Sequence, residues 1–207
     1  TEKGDYGEGD EFLGIRVPVL RAELKAFANL PLSEVQKLLK SRFHEERMFA
    51  LFLMVFLFSK SEAADRKVIY EMYLANTKYI NNWDLIDCSA YKIIGPYLKD
   101  KDRKPLYRLA KSQSLWERRI AIISTLHLIK HADFADTLQI SKILLQDEED
   151  LIHKAVGWML REVGKKDRVA EELFLKDHYR NMPRTMLRYA IEHFPEKRRQ
   201  AYLKARV

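Results

Sequence analysis

Four short segments of this chain align in register: Glu46-Arg47-Met48-Phe49-Ala50, Arg118-Arg119-Ile120-Ala121, His153-Lys154-Ala155-Val156 and Pro183-Arg184-Thr185-Met186. Each places a basic residue at the equivalent position, 47, 119, 154 and 184, with separations of 72, 35 and 30 residues. The first gap is two units of about 36, a period that fits paired helical repeats of the HEAT type. No run of strict apolar/polar alternation competes with this reading. The expected fold is therefore all-α, a superhelical array of paired antiparallel helices, the HEAT-like or ARM-type α-α solenoid. An ordinary helical bundle is the alternative. In a solenoid, equivalent positions line one face, and Arg119, Lys154 and Arg184 would form a basic stripe.

Helices are expected at about 17–29, 32–41, 43–59, 62–76, 80–94, 102–111, 114–130, 133–146, 148–164, 167–178, 181–194 and 195–205, with ends loose by roughly two to four residues. The breaks coincide with turn chemistry: Leu30-Pro31-Leu32-Ser33, Gly95-Pro96, the acidic cluster at 147–150, Gly164, and Phe194-Pro195. Ser33, with Glu34 behind it, reads as an N-cap. The longest apolar run, residues 48–58, is too short to span a bilayer and reads as a buried helix. A single domain over residues 1–207 is expected.

Charge narrows the function classes. The net charge is +7, but residues 1–100 carry 14 Lys/Arg against 15 Asp/Glu, while residues 101–207 carry 23 against 15. A basic excess confined to one half suits a phosphate-bearing partner. The single Cys88 excludes an intrachain disulfide and a multi-cysteine metal site, and points to a reducing cytoplasm. The six histidines show no clustered ligand spacing, so no metal is expected. No phosphate-binding loop, nucleophile elbow or secretory signal is present in these residues. The segment Lys3-Gly4-Asp5-Tyr6-Gly7-Glu8-Gly9-Asp10-Glu11 crowds carboxylates where a phosphate cradle needs free N–H groups, and reads as a flexible or structural loop.

Each tryptophan lies one helical turn before a charged residue: Trp83 before Asp87, Trp116 before Arg119, Trp158 before Arg161. Two readings stand, a surface of aromatic walls with a carboxylate and guanidinium groups, or tryptophans buried as core. Asp84 lies at a helix start and reads as a cap, whereas Asp87 lies inside the helix, where a carboxylate is costly unless paired or used. Arg118 and Arg119 share a turn, so one is free to pair with an acid while the other faces a phosphate. Gly157, beside Trp158, lets something approach closely. Arg161-Glu162 reads as a structural pair, and Cys88 as a small buried apolar residue.

Taken in order, Phe12-Leu13-Gly14-Ile15-Arg16-Val17-Pro18, Asn82-Trp83-Asp84-Leu85-Ile86-Asp87, Leu115-Trp116-Glu117-Arg118-Arg119-Ile120-Ala121-Ile122 and Ile152-His153-Lys154-Ala155-Val156-Gly157-Trp158-Met159-Leu160-Arg161-Glu162 resemble the DNA alkylation-repair glycosylases of the AlkD type. The resemblance implies hydrolysis of the N-glycosidic bond of cationic N3- and N7-alkylated purines in duplex DNA, without base flipping and without a cofactor. It implies that Asp87 is the catalytic carboxylate, Trp83 and Trp158 its aromatic walls, and Arg119 the arginine supporting site and backbone. Arg118, Lys154, Arg161, Arg184 and Trp116 are the further residues expected to meet DNA. A monomer acting on DNA, with no membrane association, is expected. The resemblance also implies a helical region upstream of Phe12 with a further aromatic, which makes residues 1–11 a remnant of a loop. The rival expectation is a non-catalytic HEAT-like scaffold, with buried tryptophans and Asp87 paired to a neighbouring cation.

Overall fold

The structure, a computed structural model, describes residues 9–207; residues 1–8 of the glycine-rich segment lie outside the described residues. It divides into two compact units, Thr1–Asp100 and Lys101–Val207. The described residues are helical apart from turns and one isolated parallel bridge between Glu11 and Phe43. No helix among them is long and apolar enough to cross a membrane.

The first unit contains α1 (Val17–Glu23), α2 (Leu32–Leu39), α3 (His44–Lys60), α4 (Ala63–Ala75) and α5 (Trp83–Leu98). Helix α3 is the axle, packing against all four others. It holds the apolar run 48–58, and Ala50, Leu51, Leu53 and Met54 are wholly buried. A helix apolar around most of its circumference is stable in water only when neighbours cover it on several sides. Helix α1 is shorter than expected: after Glu23 the chain continues in i→i+3 turns to Leu30, where Pro31 ends that stretch by disfavouring the helical conformation at the residue before it. Ser33 is not the cap of α2; the helix begins at Leu32 behind Pro31, without a side-chain cap.

The expected break at Gly95-Pro96 is absent. Helix α5 runs through both residues to Leu98. Pro96 falls in the last turn, where its fixed φ is already helical and only one hydrogen bond is forfeited. Burial of Ile93, Ile94 and Leu98 holds that turn in place.

The second unit contains α6 (Lys104–Ala110), α7 (Leu115–Ser124), α8 (Leu126–Lys130), α9 (Ala135–Ile143), α10 (Asp150–Lys166), α11 (Arg168–His178), α12 (Arg184–Ala190) and α13 (Glu196–Leu203). The single helix expected over 114–130 is two. Ser124 Oγ donates to the Ile120 carbonyl and Thr125 Oγ1 to that of Ile122, and such back-bonding by buried hydroxyls bends a helix. Helix α10 is the centre here, touching α7, α8, α9, α11 and α12. Adjacent helices pair as α2 with α3, α4 with α5, α6 with α7 and α10 with α11, the all-α paired arrangement anticipated from the period.

Two glycines of α10 set its packing. A Cβ at Gly157 would come within 2.5 Å of both the Met186 carbonyl oxygen and the Tyr189 Cβ on α12. The close approach expected at Gly157 is therefore made by a neighbouring helix. At Gly164 the same space is taken by the carboxylate of Glu171, which is 1% exposed. Burial pushes the Glu171 carboxyl up to about 8, with Arg168 partly opposing.

Gly157→Ala should cost about 1–3 kcal/mol by forcing α12 away, read as a lower midpoint in denaturant unfolding. The raised Glu171 means that the folded chain holds a proton the unfolded chain has lost between about pH 4.5 and 8. Its contribution is full below that window and is lost as pH rises through it, at about 1 kcal/mol per pH unit. Glu171→Gln should flatten this decline, and an unchanged slope of stability against pH would rule the buried acid out as its source.

Candidate nucleic-acid and catalytic site

Helix α5 opens on an interlocked polar cluster. Asn82 caps it, its side-chain oxygen accepting from the Trp83 N–H at 2.7 Å, while its amide nitrogen donates to Asp10 Oδ2 at 2.9 Å. His44, the first residue of α3, bridges two carboxylates: Nδ1 lies 2.9 Å from Asp10 Oδ2 and Nε2 lies 2.9 Å from Asp84 Oδ2. Arg47, one turn along α3, ion-pairs with Asp10 and donates to the Ser41 and Arg42 carbonyls at 3.1 Å. Glu45 faces back toward the preceding segment, where its carboxylate accepts the N–H groups of Leu13 and Gly14 at 2.8 Å and of Ile15 at 3.2 Å. Phe12 covers the cluster, stacked on the His44 ring at 4.9 Å.

The electrostatics follow from these contacts. Burial opposes the charge on His44, but the bonds and charges of Asp84 and Asp10 outweigh it and raise the imidazole above its ordinary range. Burial would likewise raise Asp10, but Asn82, His44 and Arg47 hold its carboxyl below the usual range. Burial would raise Glu45 too, but the backbone N–H groups of Leu13, Glu45 itself, Gly14 and Ile15 hold its carboxyl below the usual range.

Upon this base stand the residues singled out in the sequence. Trp83, the first residue of α5, is 42% exposed. Asp87 follows one turn later, half-buried on the same helix. Asp84 does more than cap: Oδ1 accepts from the Leu85 N–H at 2.7 Å and Oδ2 holds His44. Cys88 is packed against Met48, its sulfur 3.6 Å from the thioether. Burial, then the charge of Asp84, push its thiol up to about 12, while Cys88 as a whole is half-buried and not the fully buried residue expected.

In the second unit the basic candidates are largely engaged. Arg118 pairs with Asp147 at 2.6 Å and donates to the Ser112 and Gln113 carbonyls. Arg119 is only 4% exposed and donates to the Leu151 carbonyl on α10. Lys154 pairs with Asp150 at 2.7 Å. Arg161 pairs with Glu192, and not with Glu162 as the sequence suggested. Glu162 instead accepts from Trp158 Nε1 at 3.1 Å and from Lys165 at 2.6 Å. Arg184 is exposed and donates to the Leu203 carbonyl at 3.0 Å. The anticipated stripe is thus not uniform: Arg119 belongs to the interior, Lys154 is half-buried, and Arg184 faces water. Trp116 and Trp158 are half-buried, so none of the three tryptophans is a core residue.

Sequence reasoning missed His44, Asp10, Glu45 and Arg47 as a site. Their signal was present in His44-Glu45-Glu46-Arg47, a dense charged run directly ahead of the most apolar helix. Charge at that position must be internally satisfied, because the helix start is carried into the core. Among the described residues no group of three or more His, Cys, Asp or Glu is placed to hold a metal.

The family described as DNA alkylation repair enzyme matches residues 3–194. A solved structure of a predicted DNA alkylation repair enzyme from Enterococcus faecalis is similar over 92% of each chain, with a TM-score of 0.71 at 18% identity. No curated protein matches. With nearly its whole length covered by the family, this chain belongs to the DNA alkylation repair enzymes.

Proposed function

We propose that the chain is a monofunctional DNA glycosylase that hydrolyses the N-glycosidic bond of cationic alkylated purines in duplex DNA without flipping the base. The observation that carries this reading is the start of α5, where a half-exposed Trp83 stands one turn from Asp87 on a helix end fixed by buried ion pairs.

An N3- or N7-alkylated purine already bears a positive charge, so it leaves without a strong general acid. The deoxyribose then develops oxocarbenium character. Asp87 in its anionic form stabilises that charge and orients the attacking water. The indole of Trp83 packs on the sugar and adds cation–π attraction; in the second unit the Trp158 indole N–H is held by Glu162. Arg119 acts from within: by holding the Leu151 carbonyl it fixes α10 to α7. Phosphate contact falls to the more exposed members of the basic half, Arg184 foremost, with Arg118, Lys154 and Arg161 reaching DNA only after loosening an acid partner. Trp116 completes the set on α7. This chemistry needs no cofactor.

A non-catalytic scaffold is the opposing reading. It calls for tryptophans in the core and a paired Asp87, and the 42% exposure of Trp83 speaks against the first of these.

In single-turnover release of 7-methylguanine from duplex DNA, Asp87→Asn should slow excision by about 10²-fold, the scale of one lost electrostatic contact, with duplex affinity unchanged. Equal rates for the two proteins would remove Asp87 from the mechanism. Arg184→Ala should leave the single-turnover rate unchanged and reduce the slope of log affinity against log salt by about one; an unaltered slope would remove Arg184 from the phosphate contacts.

A further inference from the structure

We propose that His44 is a positioning residue that acts as the resident counter-ion of Asp84, and so lowers the cost of a negative charge on the neighbouring Asp87. The inference rests on the catalytic reading of Asp87 given above.

Asp84 and Asp87 are three residues apart on α5, which makes them surface neighbours on one face of the helix. Their fields overlap at a common point: after burial, Asp84 is the strongest influence raising the Cys88 thiol, and Asp87 adds to it. Asp87 is also felt at the buried Tyr73 on α4. Two carboxylates three residues apart on a helix oppose each other's ionisation, and a cation on one of them relieves the other. A glycosylase relying on an anionic Asp87 therefore needs Asp84 compensated.

The cluster supplies that compensation from an internal source. Both ring nitrogens of His44 face carboxylate oxygens at 2.9 Å, and both contacts are satisfied at once only when both nitrogens carry protons. From the N-terminal segment His44 meets Asp10, and from α5 it meets Asp84. From its own helix Arg47 already pairs with Asp10, while the Glu45 carboxylate is occupied by three backbone N–H groups. Asp10 with Arg47, and Asp84 with protonated His44, make two matched pairs. The remaining cations felt around Cys88 are Lys92 on α5 and Arg21 on α1, and each acts there more weakly than Asp84. Without the His44 proton, the excess charge falls on Asp84, beside Asp87.

The test measures Asp87 directly and through the reaction. Carboxyl carbon NMR of the DNA-free protein gives the Asp87 titration midpoint, and single-turnover release of 7-methylguanine gives the rate against pH. Both are recorded for the wild type, His44→Gln, Asp84→Asn and the double variant. In His44→Gln the Asp87 midpoint and the acid limb of the rate profile should both move up by about one pH unit. Below that limb the rate then falls about tenfold, and on the plateau it returns to the wild-type value. The double variant, with no unpaired carboxylate left at 84, should restore both towards wild type. A purely structural role predicts otherwise: loss at every pH, and a double variant no better than His44→Gln. Either of those results, or an unmoved Asp87 midpoint, overturns the proposal. If His44→Gln does not fold by circular dichroism, Asp84→Asn decides alone. There the Asp87 midpoint must fall and the His44 ring must titrate at lower pH; a rise at Asp87 overturns the inference. Should the wild type release no base while the Asp87 midpoints move as expected, the glycosylase reading fails and the counter-ion role stands.

Discussion

The carboxylate of Asp10 is the point on which the first unit depends. It is almost wholly buried, and it receives His44 and Arg47 from α3 and Asn82 from the cap of α5. A charge taken this far out of water is tolerated only with several charge-assisted bonds. Each partner in turn fixes something else: Asn82 sets where α5 begins, His44 holds Asp84, and Arg47 closes the turn at Ser41 and Arg42. Removing the one carboxylate would take a partner from His44, Arg47 and Asn82 at once.

The second unit is organised by contact between helices. Gly157 brings α10 and α12 backbone to backbone, and Gly164 leaves room for the side chain of Glu171. Arg119 stitches α7 to α10 through a carbonyl, and Arg118 ties the start of α7 to Asp147. Cations that look from composition like a surface for phosphate are thus partly the framework of the unit. The basic excess of this half overstates the charge that its arginines present to solvent.

Much of the fold was legible in the sequence because helical period and turn chemistry act locally. The apolar run 48–58, the breaks at Pro31 and Pro195 and the start of the helix near Trp83 are all decided within a few residues. Gly95-Pro96 misled because a proline in a last turn costs one bond, and the burial of Ile93, Ile94 and Leu98 outweighs it. The split at Thr125 was hidden because it depends on hydroxyls turning inward. For the candidate site, Trp83 and Asp87 were singled out by spacing on one helix, and the structure places both on α5. Their support was not, since Asp10, His44 and Asp84 are far apart in sequence and meet only by tertiary packing. The pairing of Arg161 with Glu192 over its neighbour Glu162 has the same origin.

The cluster at the start of α5 also dictates when that site forms. Its bonds span 34, 40 and 72 residues, so each closes a long loop that must be ordered before the contact returns any stability. Helix α3, apolar around most of its circumference, needs its neighbours before it is stable, and the platform beneath Trp83 needs in addition that Asp10, His44 and Asn82 meet. Asp10 and His44 are made before Asn82 and Asp84, so during synthesis the anchors wait for the start of α5 to emerge and close on it only then.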